Sequence, residues 1–167
     1  TGIKELTTSE LVNETEPAVS PSGKQVAFLS DEGGDDYRLH LMNSDGTGEH
    51  SLATGGDSAG SPTWSPNGAL ITFSRCVASD EETGDCTSAQ IAEIGANGQN
   101  LRFLTRATTP ASVDSRPTWR PDGRSIVFER LDDQGTFSLW TVNPTGSSVK
   151  RILDDGCAHA VYKRYFT

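Results

Sequence analysis

An eight-residue motif that recurs three times constrains the fold of this chain more than any other feature. It reads Ser-Pro-Thr-Trp-Ser-Pro-Asn-Gly at residues 61–68 and Arg-Pro-Thr-Trp-Arg-Pro-Asp-Gly at 116–123, with a looser copy, Glu-Pro-Ala-Val-Ser-Pro-Ser-Gly, at 16–23. The second proline fixes φ at the first corner of a tight turn, and the glycine accepts the positive φ that ends it. Because a short apolar run follows each copy, each one predicts a strand, a turn and a second strand. The first proline suits an inner or starting strand position that can do without an N–H.

The repeat extends beyond the motif. Each second strand is followed by a polar loop, a third predicted strand, a glycine-containing turn and a fourth predicted strand. The first prolines of the three motifs lie 45 and then 55 residues apart. Four strands per unit at this spacing predict β-propeller blades. The predicted units are an outer strand of an incomplete blade at 1–8, blades at 13–54, 60–105 and 115–153, and a tail without repeat motif at 154–167.

The combined pattern resembles the WD-like propeller repeat of the TolB family. That repeat runs Pro-x-Trp-Ser-Pro-Asp-Gly, apolar strand, loop, strand, Asp-Gly turn, Leu-Thr, and the resemblance covers nearly the whole chain, with Val19 where the motif has tryptophan. It implies an all-β propeller of four-stranded antiparallel blades and a periplasmic or secreted bacterial setting. Because propellers host many functions, the fold does not fix the activity.

Three blades leave a propeller incomplete. Closed rings contain at least about four blades, so the two end blades should each expose an apolar sheet face, and such faces predict association. Two arrangements satisfy this expectation. Either two chains pair into a six-bladed ring, or the chain is a piece of a longer propeller. A protein partner or a second copy of the chain is therefore expected.

The composition limits the kinds of partner that the chain can bind. The chain of 167 residues carries a formal net charge of −9, and such a surface repels phosphate backbones, so nucleic acid is not expected as a partner. No apolar run is long enough to span a bilayer. Two of the three cysteines, Cys76 and Cys86, lie on the two sides of the loop that lengthens the middle repeat. A disulfide between them would staple this acidic hairpin and indicate an oxidising compartment, whereas Cys157 has no evident partner.

Two groups of acidic residues are candidate binding sites. Near the start of the first strand of each blade lie Glu16, Asp57 and Asp114, which are predicted to ring one mouth of the central channel and contact a ligand there. The loop after the second strand of the first blade carries Asp31, Glu32, Asp35 and Asp36. Calcium prefers such hard oxygen ligands, and two glycines in this loop allow backbone carbonyls to turn inward. The alternative for both groups is that they are solvent-exposed acidic residues that bind no ligand.

Non-catalytic binding of a protein or other ligand is the function that we expect, without a cofactor. The sequence contains no Gly-x-Ser-x-Gly elbow, His-Glu-x-x-His pair, phosphate loop or Cys-x-x-Cys motif, so no nucleophile with its base is apparent. Trp64 and Trp119 occupy the same repeat position, which favours packing between blades over an aromatic ligand platform. Two alternatives stay open: a calcium-dependent carbohydrate-binding propeller, and a polysaccharide-degrading lyase of the propeller type.

Overall fold

The computed structural model of the chain describes residues 2–7, 12–34, 36–52, 54, 58–106, 108–109 and 111–158, with the backbone alone over 153–158. These residues form antiparallel blades of four strands each, which confirms the predicted all-β architecture. The first blade contains β1 (Glu14–Val19), β2 (Gln25–Ser30), β3 (Arg38–Asn43) and β4 (His50–Ser51). The second contains β5 (Ala59–Trp64), β6 (Leu70–Ser79), β7 (Cys86–Gly95) and β8 (Arg102–Phe103). The third contains β9 (Val113–Trp119), β10 (Ile126–Leu131), β11 (Thr136–Val142) and β12 (Lys150–Ala158).

The two ends of the described chain differ from the prediction. Strand β12 continues to Ala158, so residues 154–158, predicted as tail, extend the outer strand of the third blade. Residues 2–7, predicted as an outer strand, form no strand. An outer strand pairs with the third strand of its own blade, and the described part of the chain offers residues 2–7 no such third strand.

The first strand of every blade bulges at the proline of the motif. Here the proline and the residue before it lie opposite a single residue of the second strand. The sets are Glu16 and Pro17 opposite Phe28, Ser61 and Pro62 opposite Phe73, and Arg116 and Pro117 opposite Phe128. The residue before the proline has a φ of 50°, 51° and 50° in turn. Proline has no N–H to donate to the strand ladder, and the bulge leaves it outside the ladder pairing. The bulge also bends the strand.

The core lies between the blades. The three phenylalanines opposite the bulges are buried. The cluster between the first and second blades is built from both, and includes Leu29, Leu41, Leu52, Trp64, Ile71 and Phe73. The cluster between the second and third includes Ile91, Leu104, Ile126, Phe128 and Val142. Each blade therefore gains its apolar burial from its neighbour, as stacked repeats do.

Both motif tryptophans reach back to the preceding blade, as predicted. The indole N–H of Trp64 donates to the carbonyl of Ala18 at 2.9 Å, and that of Trp119 donates to the Thr72 hydroxyl at 2.9 Å. Each ring adds apolar area to a blade boundary while its polar atom is satisfied. Val19, at the same position in the first blade, is 61% exposed.

The outer face of the first blade is covered, contrary to the expected exposed apolar face. Its residues Val26, Phe28 and Met42 are buried, and Leu6 of the N-terminal segment packs against them. The Lys4 ammonium donates to the carbonyl of Asp45 in the β3–β4 turn at 2.7 Å. Arg102 donates to the carbonyl of Pro144 in the β11–β12 turn at 2.6 Å. Residues 2–7 therefore contact the first blade much as β8 contacts the third.

The middle blade carries the longest hairpin. Strands β6 and β7 have ten residues each, against six in β2 and β3. A disulfide joins Cys76 to Cys86 near the end of this hairpin, with Cα atoms 5.8 Å apart. Among the described residues, no helix is long and apolar enough to cross a membrane.

Replacement of Gly46 by alanine should destabilise the fold more than replacement of Gly23. Both glycines have positive φ, so alanine costs about 1–2 kcal/mol at either position. A Cβ at Gly46 would also lie 2.7 Å from the carbonyl oxygen of Leu6, whereas a Cβ at Gly23 meets nothing within 4 Å. We expect a further loss of about 1–3 kcal/mol in the free energy of unfolding for Gly46→Ala, measured by urea denaturation. Equal losses in the two variants would show that Leu6 does not press against this turn.

Removal of the Cys76–Cys86 disulfide should lower stability by about 2–3 kcal/mol, because the cross-link no longer restricts the unfolded chain. The measurement is urea denaturation of the wild type and of a Cys76→Ala/Cys86→Ala variant, each with and without reductant. Reductant should destabilise the wild type and leave the variant unchanged. A wild type insensitive to reductant, or a variant as stable as the oxidised wild type, would contradict the prediction.

Candidate functional site

The three bulges together line a groove on the inner strands of the blades. The groove is a shallow depression, largely open to solvent, with a volume of about 320 Å³. Its lining comes from equivalent positions of β1, β5 and β9: Glu16, Pro17, Ser61, Pro62, Thr63, Arg116, Pro117 and Thr118. In a propeller the innermost strands face the central channel. A cavity of this size lies at the lower end of the range for ligand pockets. We call it the channel groove.

The floor and the polar groups of the channel groove come from different motif positions. Pro17, Pro62 and Pro117 supply three apolar rings that carry no backbone N–H donor. The residues before them are a carboxylate, a hydroxyl and a guanidinium, namely Glu16, Ser61 and Arg116. The groove lining therefore combines three proline rings with three chemically different polar groups, and polar groups among apolar ones orient a ligand in a pocket.

Two polar contacts within the groove define its electrostatics. The backbone N–H of Ser61 donates to the Glu16 carboxylate across the boundary between the first and second blades. Arg116 Nη1 lies 3.1 Å from Oε2 of Glu129 on β10, and the Arg116 side chain is 57% exposed. The groove thus has a carboxylate at its first-blade end and a guanidinium, paired with Glu129, at its third-blade end.

Of the two predicted channel-mouth residues that the structure describes, one lines this groove. Glu16 does, while Asp57 lies outside the described residues. Asp114 is fully buried, and its two carboxylate oxygens accept hydrogen bonds from Arg130 at 2.5 and 2.7 Å. Asp114 is three residues before its motif proline, whereas Glu16 is directly before its own, so the two side chains occupy different strand positions. The prediction for Asp114 is wrong because its carboxylate pairs inside the blade.

The Arg130–Asp114 pair is structural. Arg130 is nearly buried, and its guanidinium carbon lies 4.6 Å from the ring centre of Trp140. Loss of one member of such a buried pair costs about 3–5 kcal/mol, because it leaves an uncompensated charge. Asp114 therefore stabilises the third blade and does not contact a channel ligand.

The acidic loop of the first blade also differs from its prediction as a calcium site. Asp31 is buried, and its carboxylate accepts hydrogen bonds from the N–H of Gly33 at 2.9 Å and from the Asn13 backbone and side chain at 2.9 and 2.6 Å. These hydrogen bonds, with that of Gly33 foremost, hold the pKa of Asp31 below its usual value. Asp31 therefore ties the start of β1 to the end of β2.

The remaining carboxylates of this loop do not complete a metal site among the described residues. Glu32 Oε1 lies 3.1 Å from His40 Nε2, and Glu32 Oε2 lies 3.5 Å from Arg38 Nε. Asp36 is exposed, and Asp35 lies outside the described residues. Within the part of the chain that the structure describes, no three His, Cys, Asp or Glu side chains are grouped to hold a metal ion.

Sequence reasoning missed Ser61 and Arg116. It grouped Glu16 with other acidic residues, whereas the groove groups residues by their position before the proline. The signal was present, because all three motif copies align without gaps and place Glu16, Ser61 and Arg116 in one column. The equivalence of the three positions is not evident from residue type, since one residue is an acid, one carries a hydroxyl and one is a base.

Comparisons with known proteins agree with this architecture. The family model described as TolB beta propeller domain matches residues 1–160. A Tol-Pal system protein TolB 1 of Novosphingobium aromaticivorans is 37% identical over 70 residues, which are 41% of this chain and 15% of that protein. The uncharacterized peptidase YuxL of Bacillus subtilis is 32% identical over 168 residues, covering 89% of this chain and 24% of that protein. The chain thus spans less than a quarter of the length of either relative.

The solved structure of a putative TolB from Agrobacterium tumefaciens supports the same fold. It superposes with a TM-score of 0.69 at 22% identity, over 87% of this chain and 51% of that chain. Together with the family match, this confirms the propeller predicted from the repeated motif. The chain belongs to the TolB β-propeller domain family.

Proposed function

We propose that the chain is a non-catalytic binding module that holds an extended segment of a protein partner in the channel groove. The observation that carries the proposal is the groove itself, which three equivalent bulges build from prolines and three unlike polar groups. An open groove lined by successive strands suits a segment of a protein better than a small molecule, which binds in a more enclosed pocket. The curated TolB relatives are named as proteins of a Tol-Pal system, which favours a protein as the partner.

The chemistry of the groove supports binding without catalysis. Its lining residues include a serine and a glutamate, and neither histidine nor cysteine is among them. A serine nucleophile needs an adjacent base that takes its proton. The Glu16 carboxylate is directed to the backbone N–H of Ser61, and that contact positions the strand.

A second candidate is the propeller lobe of a peptidase. The match with the Bacillus peptidase over 89% of this chain favours it. Both candidates place an extended peptide in the groove, and they differ in what the rest of the polypeptide does with it. In either case we propose a periplasmic or secreted location, which the Cys76–Cys86 disulfide supports because such bonds persist in oxidising compartments.

Selection from a phage-displayed library of random peptides tests this proposal. We expect a family of peptides to be enriched on the wild-type chain. Thr118 lines the groove, so Thr118→Trp should fill it and raise the Kd of a recovered peptide at least about tenfold, measured by fluorescence anisotropy. The matched control is Thr145→Trp, in an exposed turn outside the groove, which should stay within about twofold of the wild type.

Three results would contradict the proposal. The first is a library that yields no enriched peptide, and the second is a Thr118→Trp variant that binds as the wild type does. The third is cleavage of the bound peptide by the purified chain, detected by mass spectrometry, since a binding module leaves its ligand intact.

A further inference from the structure

The channel groove already contains one bound carboxylate, supplied by the chain itself. Glu16, before the proline of the first blade, directs its carboxylate to the N–H of Ser61, before the proline of the second blade. The two residues are 45 positions apart and have φ values of 50° and 51°. This contact shows that the boundary between two neighbouring bulges is shaped to hold a carboxylate.

The next boundary repeats this geometry with different side chains. Ser61 and Arg116 occupy the positions that Glu16 and Ser61 occupy one blade earlier, with φ values of 51° and 50° and with Phe73 and Phe128 opposite their bulges. The serine side chain ends at Oγ, two atoms short of the reach of the glutamate Oε atoms. Among the described residues, the position of Ser61 therefore supplies no carboxylate to the second boundary, which lies in the groove of about 320 Å³, and the carboxylate that contacts Arg116 is that of Glu129.

The Arg116 guanidinium at this second boundary has hydrogen-bond donors that suit a carboxylate ligand. Arg116 lies on the far side of it, and a guanidinium presents five donors in a planar fork that matches carboxylate geometry. Such a fork can hold two carboxylates at once, so the contact with Glu129 at 3.1 Å is compatible with a second acid. The Ser61 hydroxyl can donate to the same ligand, as hydroxyls do.

We propose that the boundary between the second and third blades binds an aspartate or glutamate side chain of the partner segment, held by Ser61 and Arg116. This inference rests on the proposed function, because it names the group by which the groove would recognise its peptide. The ligand carboxylate takes the place that the Glu16 carboxylate has one blade earlier. The overall negative charge of −9 makes Arg116 the selective element, since acidic segments are repelled elsewhere on the surface.

Nuclear magnetic resonance tests the site with small probes of known chemistry. The ¹⁵N-labelled 167-residue chain is titrated with N-acetyl-aspartate N′-methylamide, with the asparagine analogue as the neutral control and N-acetylglycine as the terminal-carboxylate control. We expect saturable shifts at the amides of Ser61 and Arg116 with the aspartate probe, at a Kd on the order of 1–10 mM. The asparagine analogue should bind at least about tenfold more weakly, since it lacks the charge-assisted hydrogen bonds.

Three variants separate recognition from folding. Ser61→Glu should give the chain its own carboxylate at this boundary and weaken the probe at least about tenfold. Ser61→Ala removes only the hydroxyl donor and should weaken the probe less, by about threefold. Arg116→Met should weaken the probe at least about tenfold. A dispersed spectrum from each variant shows that it is folded, and the Arg116→Met variant keeps the test decisive should Ser61→Glu unfold.

The inference is overturned by any of four results. These are equal binding of the asparagine analogue, binding of N-acetylglycine alone, unchanged affinity in folded Ser61→Glu or Arg116→Met, and no saturable shift up to about 50 mM probe. Library peptides that bind in the groove but lack a required acidic residue would leave the proposed function intact and reject this site. Probe binding without any library peptide would reject the proposed function and retain the carboxylate site.

Discussion

The missing N–H of three prolines is the constraint on which the structure depends. Pro17, Pro62 and Pro117 cannot donate to the second strand of their blades, so each blade places two residues opposite one at this point. The residue opposite is always a phenylalanine, and all three are buried. One bulge per blade therefore fixes two things together: a buried phenylalanine on the second strand, and the residue before the proline on the channel side.

Contacts between neighbouring blades follow from the same register. The indole N–H groups of Trp64 and Trp119 donate hydrogen bonds to the preceding blade. The segment that follows the outer strand of one blade lies against the turn between the third and fourth strands of the next blade. Since each blade contacts only its neighbours, stability is a sum of boundaries rather than the property of one central core. The first blade follows the same pattern, because Leu6 contacts its β3–β4 turn and covers Phe28, as Leu104 contacts the corresponding turn of the third blade.

The fold could be predicted from the sequence because the residues that recur between blades are the ones that determine the strands and turns. Proline, tryptophan, glycine and the apolar runs recur in order, and each has a conformational reason that does not depend on distant residues. The site was predicted poorly because it depends on what differs between repeats. Asp114 was expected at the channel, yet its strand position directs it to Arg130, and no local pattern reveals a partner 16 residues away. Asp31 was expected to bind calcium, yet Asn13 and Gly33 hold its carboxylate.

The bulge explains why the backbone repeats from blade to blade while the side chain before the proline differs. Glu16, Ser61 and Arg116 share one backbone conformation within 1° of φ, although their side chains differ in charge and length. A non-glycine residue at such a φ carries backbone strain that the surrounding structure must hold, and the prolines and buried phenylalanines hold it here. Because the side chain itself enters no core cluster, its identity is not constrained by packing. The residue before the proline can therefore change from blade to blade at little cost to the fold, and this freedom explains how an acid, a hydroxyl and a base occupy one position of the repeat.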